Sequence, residues 1–277
     1  PTAARSTGPS IWVVAGADTT IYLMGTAHIT SGIGDWQSAA FRDAWAAADA
    51  VYVETDVASG NPQQRMQALI PRYGLNTGGA TLASFFSEDE VATLDRILAP
   101  LNLSIARLAP LRPWLANLQA GLTSMSAAGI DLTQSVDRTI AGMALADDKE
   151  LRSFETLEAQ IELIAAADDK AVARYLLRTA DQQWTNAAQY IETLSTAWFT
   201  GDDEGIAAIM ARDFDGYPDA AERLLYSRND RWASELTGVM QEERGVFFVA
   251  VGVGHLVGDR SLQEQLEQRG FTVDRAR

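Results

Sequence analysis

The sequence predicts an α/β fold, with one mostly apolar sheet built from both ends of the chain and a long helical insertion between them. Runs of β-branched and aromatic residues, which pack well on a pleated surface, occur near both termini. Between these runs, apolar residues recur at helical spacing. We therefore expect a single domain over residues 1–277, with the sheet core at about 11–60 and 243–277 and the helical insertion at about 61–242.

The N-terminal part predicts a hairpin followed by a βαβ unit. The runs IWVVAG (11–16) and TTIYLMG (19–25) are separated by two residues, a spacing typical of a hairpin. Residues 38–49 have helical periodicity, and AVYVET (50–55) is a further short apolar strand. A strand, a helix and a strand within about 35 residues form a βαβ unit.

The rest of the chain predicts helices and then a return to the sheet. SEDE (87–90) matches a capping box at the start of one helix, and Pro113 is placed to start the next, which Gly129 stops. We expect further helices at about 133–147, from 157 to 241 with breaks near 201 and 215–218, and at 261–269, and strands at 151–156, 245–252 and 271–273.

The composition excludes several classes of protein. The chain has 37 acidic and 22 basic residues, a formal net charge of −15. Nucleic acids and anionic membranes are bound by basic surfaces, so we expect neither as a partner. We find no apolar run long enough for an integral membrane segment. The absence of cysteine excludes disulfides, zinc–thiolate sites and thiol nucleophiles.

The two histidines of the chain follow the same local pattern. His28 ends IYLMGTAH and His255 ends FFVAVGVGH, so each stands three residues after a glycine, just beyond an apolar strand. Open α/β sheets bind ligands at the carboxyl ends of their strands. Glycine there allows a sharp turn and leaves room beside the imidazole. The repeated Gly-x-x-His pattern therefore predicts a shared functional site, although a histidine in a globular protein is often an ordinary core residue.

Glu54 is the third candidate, because it also lies at the end of an apolar run. Two imidazoles and a carboxylate can hold a divalent metal that keeps open positions for water. Such a metal lowers the pKa of bound water, and a carboxylate can take the proton. We therefore predict His28, Glu54 and His255 as metal ligands and catalytic residues, with Glu54 as ligand or as general base.

Several segments together resemble the TraB/PrgY/GumN family, in its GumN-like branch. This family includes the Tiki metalloproteases and is related in fold to erythromycin esterases and ChaN-like proteins. Its two Gly-x-x-His motifs and its glutamate are matched here by His28, His255 and Glu54. The resemblance rests on YLMGTAH, AVYVETD, Leu111-Arg112-Pro113, Gly129-Ile130-Asp131, Phe154-Glu155-Thr156 with Gln160, Arg228-Asn229 and FVAVGVGHLVGDRSLQEQLEQRGF.

The resemblance implies a metal-dependent hydrolase, in the first place a peptidase that uses metal-activated water. It implies manganese or cobalt as the favoured cofactor, with zinc or iron as alternatives, and a peptide or small molecule as substrate. Members of the GumN branch are commonly exported, and this chain begins with a small polar stretch, so we expect a periplasmic or secreted protein. The alternative is a non-catalytic protein that binds a metal, haem or a small ligand in the same pocket.

Two further residues are candidates for substrate binding. Arg228 opens a predicted helix, where its planar guanidinium would clamp a substrate carboxylate, or form a structural ion pair instead. Glu155 ends a predicted strand and either points into the same cleft or caps the helix that begins near Leu157.

Overall fold

The computed structural model describes residues 8–27, 34–56, 60–133 and 135–276. Contacts divide the chain into two compact units. They are the sheet unit (Pro1–Ala58, Gln134–Thr156 and Glu192–Arg277) and the helical unit (Ser59–Thr133 and Leu157–Ile191). Much of the segment expected to be a helical insertion thus groups with the sheet, and a single domain over the whole chain stays a prediction.

Strands lie mostly near the two ends of the described chain, and helices fill most of its middle. The strands are β1 (Ile11–Ala15), β2 (Thr19–Thr26), β3 (Ala50–Thr55), β4 (Glu150–Glu155), β5 (Gly245–Gly252) and β6 (Val273–Arg275). The helices are α1 (Ala39–Ala47), α2 (Pro62–Tyr73), α3 (Glu88–Leu98), α4 (Pro113–Ala127), α5 (Val136–Ala146), α6 (Leu157–Ala165), α7 (Asp169–Thr185), α8 (Ala187–Phe199), α9 (Asp203–Asp213), α10 (Pro218–Ala221), α11 (Ser227–Glu242) and α12 (Leu262–Gln268). Short 3₁₀ turns cover Leu82–Phe85, Ala99–Leu101 and Val253–Leu256, and a π-helical turn covers Glu222–Tyr226.

The described strands form one six-stranded mixed sheet in the order β4-β3-β5-β2-β1-β6. β2, β3 and β4 run parallel to β5 or to each other, whereas β1 is antiparallel to both β2 and β6. The predicted α/β fold, with its N-terminal hairpin and its sheet made from both chain ends, is confirmed. β5 lies between β2 and β3 in the sheet. The βαβ pattern predicts that α1 returns the chain to the same sheet, but it does not determine whether another strand lies between β2 and β3. β4, from the middle of the chain, forms one edge.

Both faces of the sheet are covered, which explains why its strands are nearly continuous apolar runs. Successive side chains of β5 point to opposite faces, so Phe248 packs in one core with Phe41 of α1. Val249 packs in the other core with Trp232 of α11. All four side chains are almost fully buried. The second core fixes α11 over the sheet.

The helical unit has its own apolar core, contributed mainly by α3, α4 and α7. Ser87 Oγ accepts the Glu90 N–H, and the Glu90 carboxylate accepts the Ser87 N–H, as the predicted capping box requires. The buried members of this core are Leu82, Leu94, Leu98, Ile105, Leu108, Ala116, Ala120, Leu176, Ala180 and Trp184. Among the described helices, none is both long and apolar enough to cross a membrane.

Candidate functional site

The carboxyl ends of β3 and β5 bring two of the predicted site residues together. These strands run parallel, so their carboxyl ends lie at the same edge of the sheet. Glu54 is the penultimate residue of β3, and His255 lies in the 3₁₀ turn that follows β5. The Gly252 N–H donates to Glu54 Oε2 at 2.9 Å, and this oxygen lies 3.8 Å from His255 Nε2. The two side chains therefore present their acceptor atoms to the same small volume.

Arg228 lies at the centre of the cluster. Its α11 helix follows the π-helical turn. Nε donates to both oxygens of Glu155, at 3.0 and 3.1 Å, and Nη2 donates to Glu155 Oε2 at 2.8 Å and to Glu54 Oε1 at 2.6 Å. Nη1 donates to the Leu224 carbonyl at 2.9 Å and to His255 Nε2 at 3.1 Å. All five N–H groups of the guanidinium thus have acceptors.

The cluster is closed to solvent and strongly charged. Glu54, Glu155, Arg228 and His255 are 5%, 7%, 5% and 3% exposed. Burial lowers the pKa of Arg228, but hydrogen bonds and charge from Glu155 and Glu54 outweigh it and raise the pKa above its ordinary value. Arg228 therefore stays a cation. Arg231, whose side chain is 55% exposed, adds a second ion pair to Glu155 at 2.5 Å.

Two further residues of α11 contact the site, and the sequence did not predict either of them as a site residue. Asn229 Oδ1 lies 2.7 Å from His255 Nδ1, and its Nδ2 donates to the Arg260 carbonyl at 2.9 Å. The Trp232 ring lies 4.5 Å from the imidazole and 4.7 Å from the Arg228 guanidinium. Helical spacing could have found Trp232, because positions i and i+4 share one helix face.

Gly25 has a packing role that explains the glycine of the first Gly-x-x-His pattern. A Cβ at this position would lie 2.7 Å from Val253 Cγ2 and 2.9 Å from Val253 Cα. The Trp198 indole N–H donates to the Gly25 carbonyl at 2.7 Å. Glycine is thus needed for the close approach between the end of β2 and the turn that carries His255, in addition to the room predicted beside an imidazole.

The structure describes the predicted metal site only in part. His28 lies outside the described residues. Among the residues that are described, no group of three or more His, Asp or Glu side chains is arranged to hold a metal ion. Two ligand atoms that each lie about 2 Å from one ion are at most about 4 Å apart. The 3.8 Å between Glu54 Oε2 and His255 Nε2 is therefore compatible with a shared ion.

The structure places Arg228 and Glu155 in this cluster, but their predicted role in substrate binding stays a prediction. In this arrangement Arg228 already donates every N–H, and Glu155 accepts from two arginines. Either residue would have to exchange one of these bonds for a bond to substrate. In their present contacts, Arg228 binds Glu54 and His255, and Glu155 binds Arg228.

Comparison with known proteins gives a family and distant relatives. The model of the TraB/PrgY/gumN family matches residues 10–275. Metalloprotease TIKI1 of Danio rerio is 33% identical over 67 residues, which are 24% of this chain and 13% of that protein. Metalloprotease TIKI2 of Danio rerio is 33% identical over 67 residues, 24% of this chain and 12% of that protein. No solved structure matches the chain significantly.

Proposed function

The chain belongs to the TraB/PrgY/gumN family, and we propose that it is a metal-dependent hydrolase, with peptides as its first candidate substrates. The observation that carries the proposal is the meeting of Glu54 and His255 where parallel strands end, with acceptor atoms 3.8 Å apart. Parallel α/β sheets place ligands at this edge. The partial similarity to proteins named metalloproteases supports the same class of reaction.

His28, Glu54 and His255 are the residues that would hold the metal. One carboxylate and two imidazoles suit manganese, cobalt, iron or zinc, and we favour manganese or cobalt. When bound, such an ion polarises a carbonyl and lowers the pKa of a water molecule. The His255 Nε2 lone pair now accepts from Arg228 Nη1, so metal ligation at that atom and this hydrogen bond exclude each other.

The buried cluster places two carboxylates around one guanidinium. Glu54 and Glu155 share the Arg228 guanidinium. Arg231 also pairs with Glu155, but solvent screens its exposed side chain. Carboxylate oxygens such as those of Glu54 are suitable ligands for a divalent cation such as manganese.

Glu54 is oriented before any ligand arrives. Arg228 Nη2 donates to its Oε1, and the Gly252 N–H donates to its Oε2. Two fixed donors hold the carboxylate in one rotamer and keep Oε2 on the side facing His255. A carboxylate held in this way can act as ligand or accept a proton from a water in contact with it, which is the chemistry that hydrolysis needs.

Hydrolysis assays on purified protein test the proposal. We would assay mixed-sequence peptides and activated esters with manganese, with chelator, and after manganese is restored. We expect chelator-sensitive hydrolysis that falls at least about 100-fold in Glu54→Gln and His255→Ala, the lower range for loss of an acid–base group. Gly121→Ala, in α4 of the helical unit, is the control and should keep full activity. Hydrolysis that withstands both the chelator and the site substitutions would contradict the proposal.

A non-catalytic binding protein is the second candidate, favoured by the burial of the cluster. Side chains less than a tenth exposed can hold an ion or small ligand, whereas a polymer needs more access. Haem titration distinguishes the two candidates. A Soret band that is lost in His28→Ala and His255→Ala, without hydrolysis of any substrate, would favour the binding protein.

A further inference from the structure

We infer that Asn229 is a positioning residue that sets the tautomer of His255, so that Nδ1 carries the proton and Nε2 carries the lone pair. The tautomer follows from hydrogen bonds alone. Its consequence for metal binding rests on the proposed function. The tautomer and the metal affinity are therefore measured separately.

The orientation of the Asn229 amide is fixed by a backbone group. The Arg260 carbonyl can only accept a hydrogen bond, and the Asn229 side-chain nitrogen lies 2.9 Å from it. The amide oxygen must then face His255 Nδ1, which is 2.7 Å away. An amide oxygen only accepts, so Nδ1 must donate, and the neutral imidazole has its proton on Nδ1.

The contact at the other ring nitrogen, Nε2, indicates the same tautomer. Arg228 is a cation with no acceptor, and its Nη1 lies 3.1 Å from His255 Nε2, so Nε2 must accept. Asn229 and His255 are 1% and 3% exposed. Because water cannot readily replace a lost partner at this depth, removal of the Asn229 oxygen would take from a buried donor its acceptor at 2.7 Å, which is energetically costly.

The carbonyl that orients Asn229 is itself held by a strained turn. Arg260 has φ of +54°, in the left-handed region that costs an ordinary residue about 1 kcal/mol or more. Its guanidinium lies over the Tyr226 ring at 4.5 Å and pairs with Glu222 at 2.5 Å. Its own N–H donates to Glu264 Oε2 at 2.6 Å. The π-helical turn thus contacts the Arg260 side chain, the Arg260 carbonyl orients the Asn229 amide, and that amide contacts the imidazole.

This arrangement has a chemical purpose if His255 binds a metal. A ligating histidine needs a lone pair on one nitrogen, and its other N–H is normally held by an acceptor. Loss of such an acceptor typically weakens metal binding about 10–100-fold. With Asn229 removed, Arg228 Nη1 still opposes a proton on Nε2, but Nδ1–H has lost its acceptor and the carboxylate oxygen Glu54 Oε2, 3.8 Å from Nε2, favours the proton there, so part of the population shifts to Nε2–H.

Nitrogen NMR of the metal-free protein reads the tautomer directly. The chain has two histidines, so ¹⁵N-histidine labelling gives two imidazoles, and His28→Ala assigns them. At a pH where both rings are neutral, we would compare wild type, Asn229→Leu and Asn229→Asp. Asn117→Leu, the same change in the helical unit, is the control. Manganese affinity of each protein is measured by calorimetry.

We expect His255 to be protonated at Nδ1 in the wild type, in Asn229→Asp and in Asn117→Leu, and to gain an Nε2–H population in Asn229→Leu. Manganese should bind at least about tenfold more weakly to Asn229→Leu than to the control. A wild-type imidazole protonated at Nε2 would overturn the inference, even if Asn229→Leu fails to fold. So would an unchanged tautomer in folded Asn229→Leu. A changed tautomer with unchanged manganese affinity would support the inference and contradict the metal role of His255.

Discussion

Each unit of the protein has an arginine that donates hydrogen bonds to several acceptors, and the two arginines differ in the kinds of acceptor that they contact. Arg112, in the helical unit, binds both oxygens of Asp169 and the backbone carbonyls of Tyr73 and Ala165. Arg228, in the sheet unit, binds two carboxylates, one carbonyl and an imidazole. The Arg112 side chain is 21% exposed and that of Arg228 is 6% exposed.

The difference separates a structural arginine from one placed in a candidate site. Arg112 balances one carboxylate and satisfies carbonyl groups, which ties loops and helix ends of the helical unit together. Arg228 instead holds side chains from β3, β4 and the turn after β5, all near the edge where an α/β sheet binds ligands. Buried ion pairs are weak evidence for a stabilising role, since apolar residues of similar volume often stabilise a protein as much. The Arg228 cluster is therefore the one for which we propose a functional role.

Removal of either arginine is expected to cause the largest change in the free energy of unfolding. Arg228→Ala leaves Glu54 and Glu155 as buried charges without their main partner, so we expect the free energy of unfolding to fall by about 3–5 kcal/mol. Arg112→Ala removes hydrogen bonds to a single, partly exposed carboxylate and two carbonyls, with an expected loss of about 1–3 kcal/mol. Urea unfolding of both variants checks this. Equal losses would remove the distinction between the two clusters.

The fold was largely predictable from sequence, whereas the arrangement of the site was not. Apolar runs such as 245–252 and the capping box at Ser87 depend on local sequence, and both are confirmed. Which strands become neighbours depends on long-range pairing, so the place of β5 between β2 and β3 could not be predicted. The role of Asn229 depends on the Arg260 carbonyl, and no pattern of residue types records the direction of a backbone group.

A glycine-to-alanine substitution in each unit is expected to change the free energy of unfolding by a smaller amount, in opposite directions in the two units. Gly25→Ala places a methyl group against the Val253 backbone, and we expect such overpacking to cost about 1–3 kcal/mol. Gly121→Ala, in α4 of the helical unit, meets nothing within 4 Å and should stabilise its helix by about 0.5–1 kcal/mol. Thermal unfolding measures both. A neutral Gly25→Ala would contradict the close approach between β2 and the His255 turn.

A change of pH has the smallest expected effect on the free energy of unfolding. The direction of this effect differs between a carboxylate of the helical unit and one of the sheet unit. Hydrogen bonds from Arg174 and from Ser87 lower the pKa of Glu90 in the helical unit to about 2 from an ordinary value of 4.5. Its contribution to stability is therefore complete above pH 4.5 and is lost as the pH falls towards 2. In the sheet unit, burial raises the pKa of Asp203, although Ser10 and Arg275 act against it.

The raised pKa of Asp203 determines how its contribution to stability changes with pH. Its folded state holds a proton more tightly than the unfolded chain, so this group favours folding at low pH and loses that contribution as the pH rises through its folded pKa. Urea unfolding between pH 2 and 6 (about the range of carboxyl titration) checks both groups. Glu90→Gln should flatten the acid loss of stability, and Asp203→Asn should leave that loss in place. The reverse pattern would contradict both assignments.

The metal content of the purified protein tests the proposal that His28, Glu54 and His255 form one metal site. We would measure bound metal in protein purified without chelator and after incubation with manganese, for wild type, His28→Ala, His255→Ala and the Gly121→Ala control. We predict about one ion per chain in wild type and control, as expected for one catalytic centre, and loss of that ion in both histidine variants. Absence of metal from the wild type under every condition, or full retention of metal in both histidine variants, would contradict the proposed metal site.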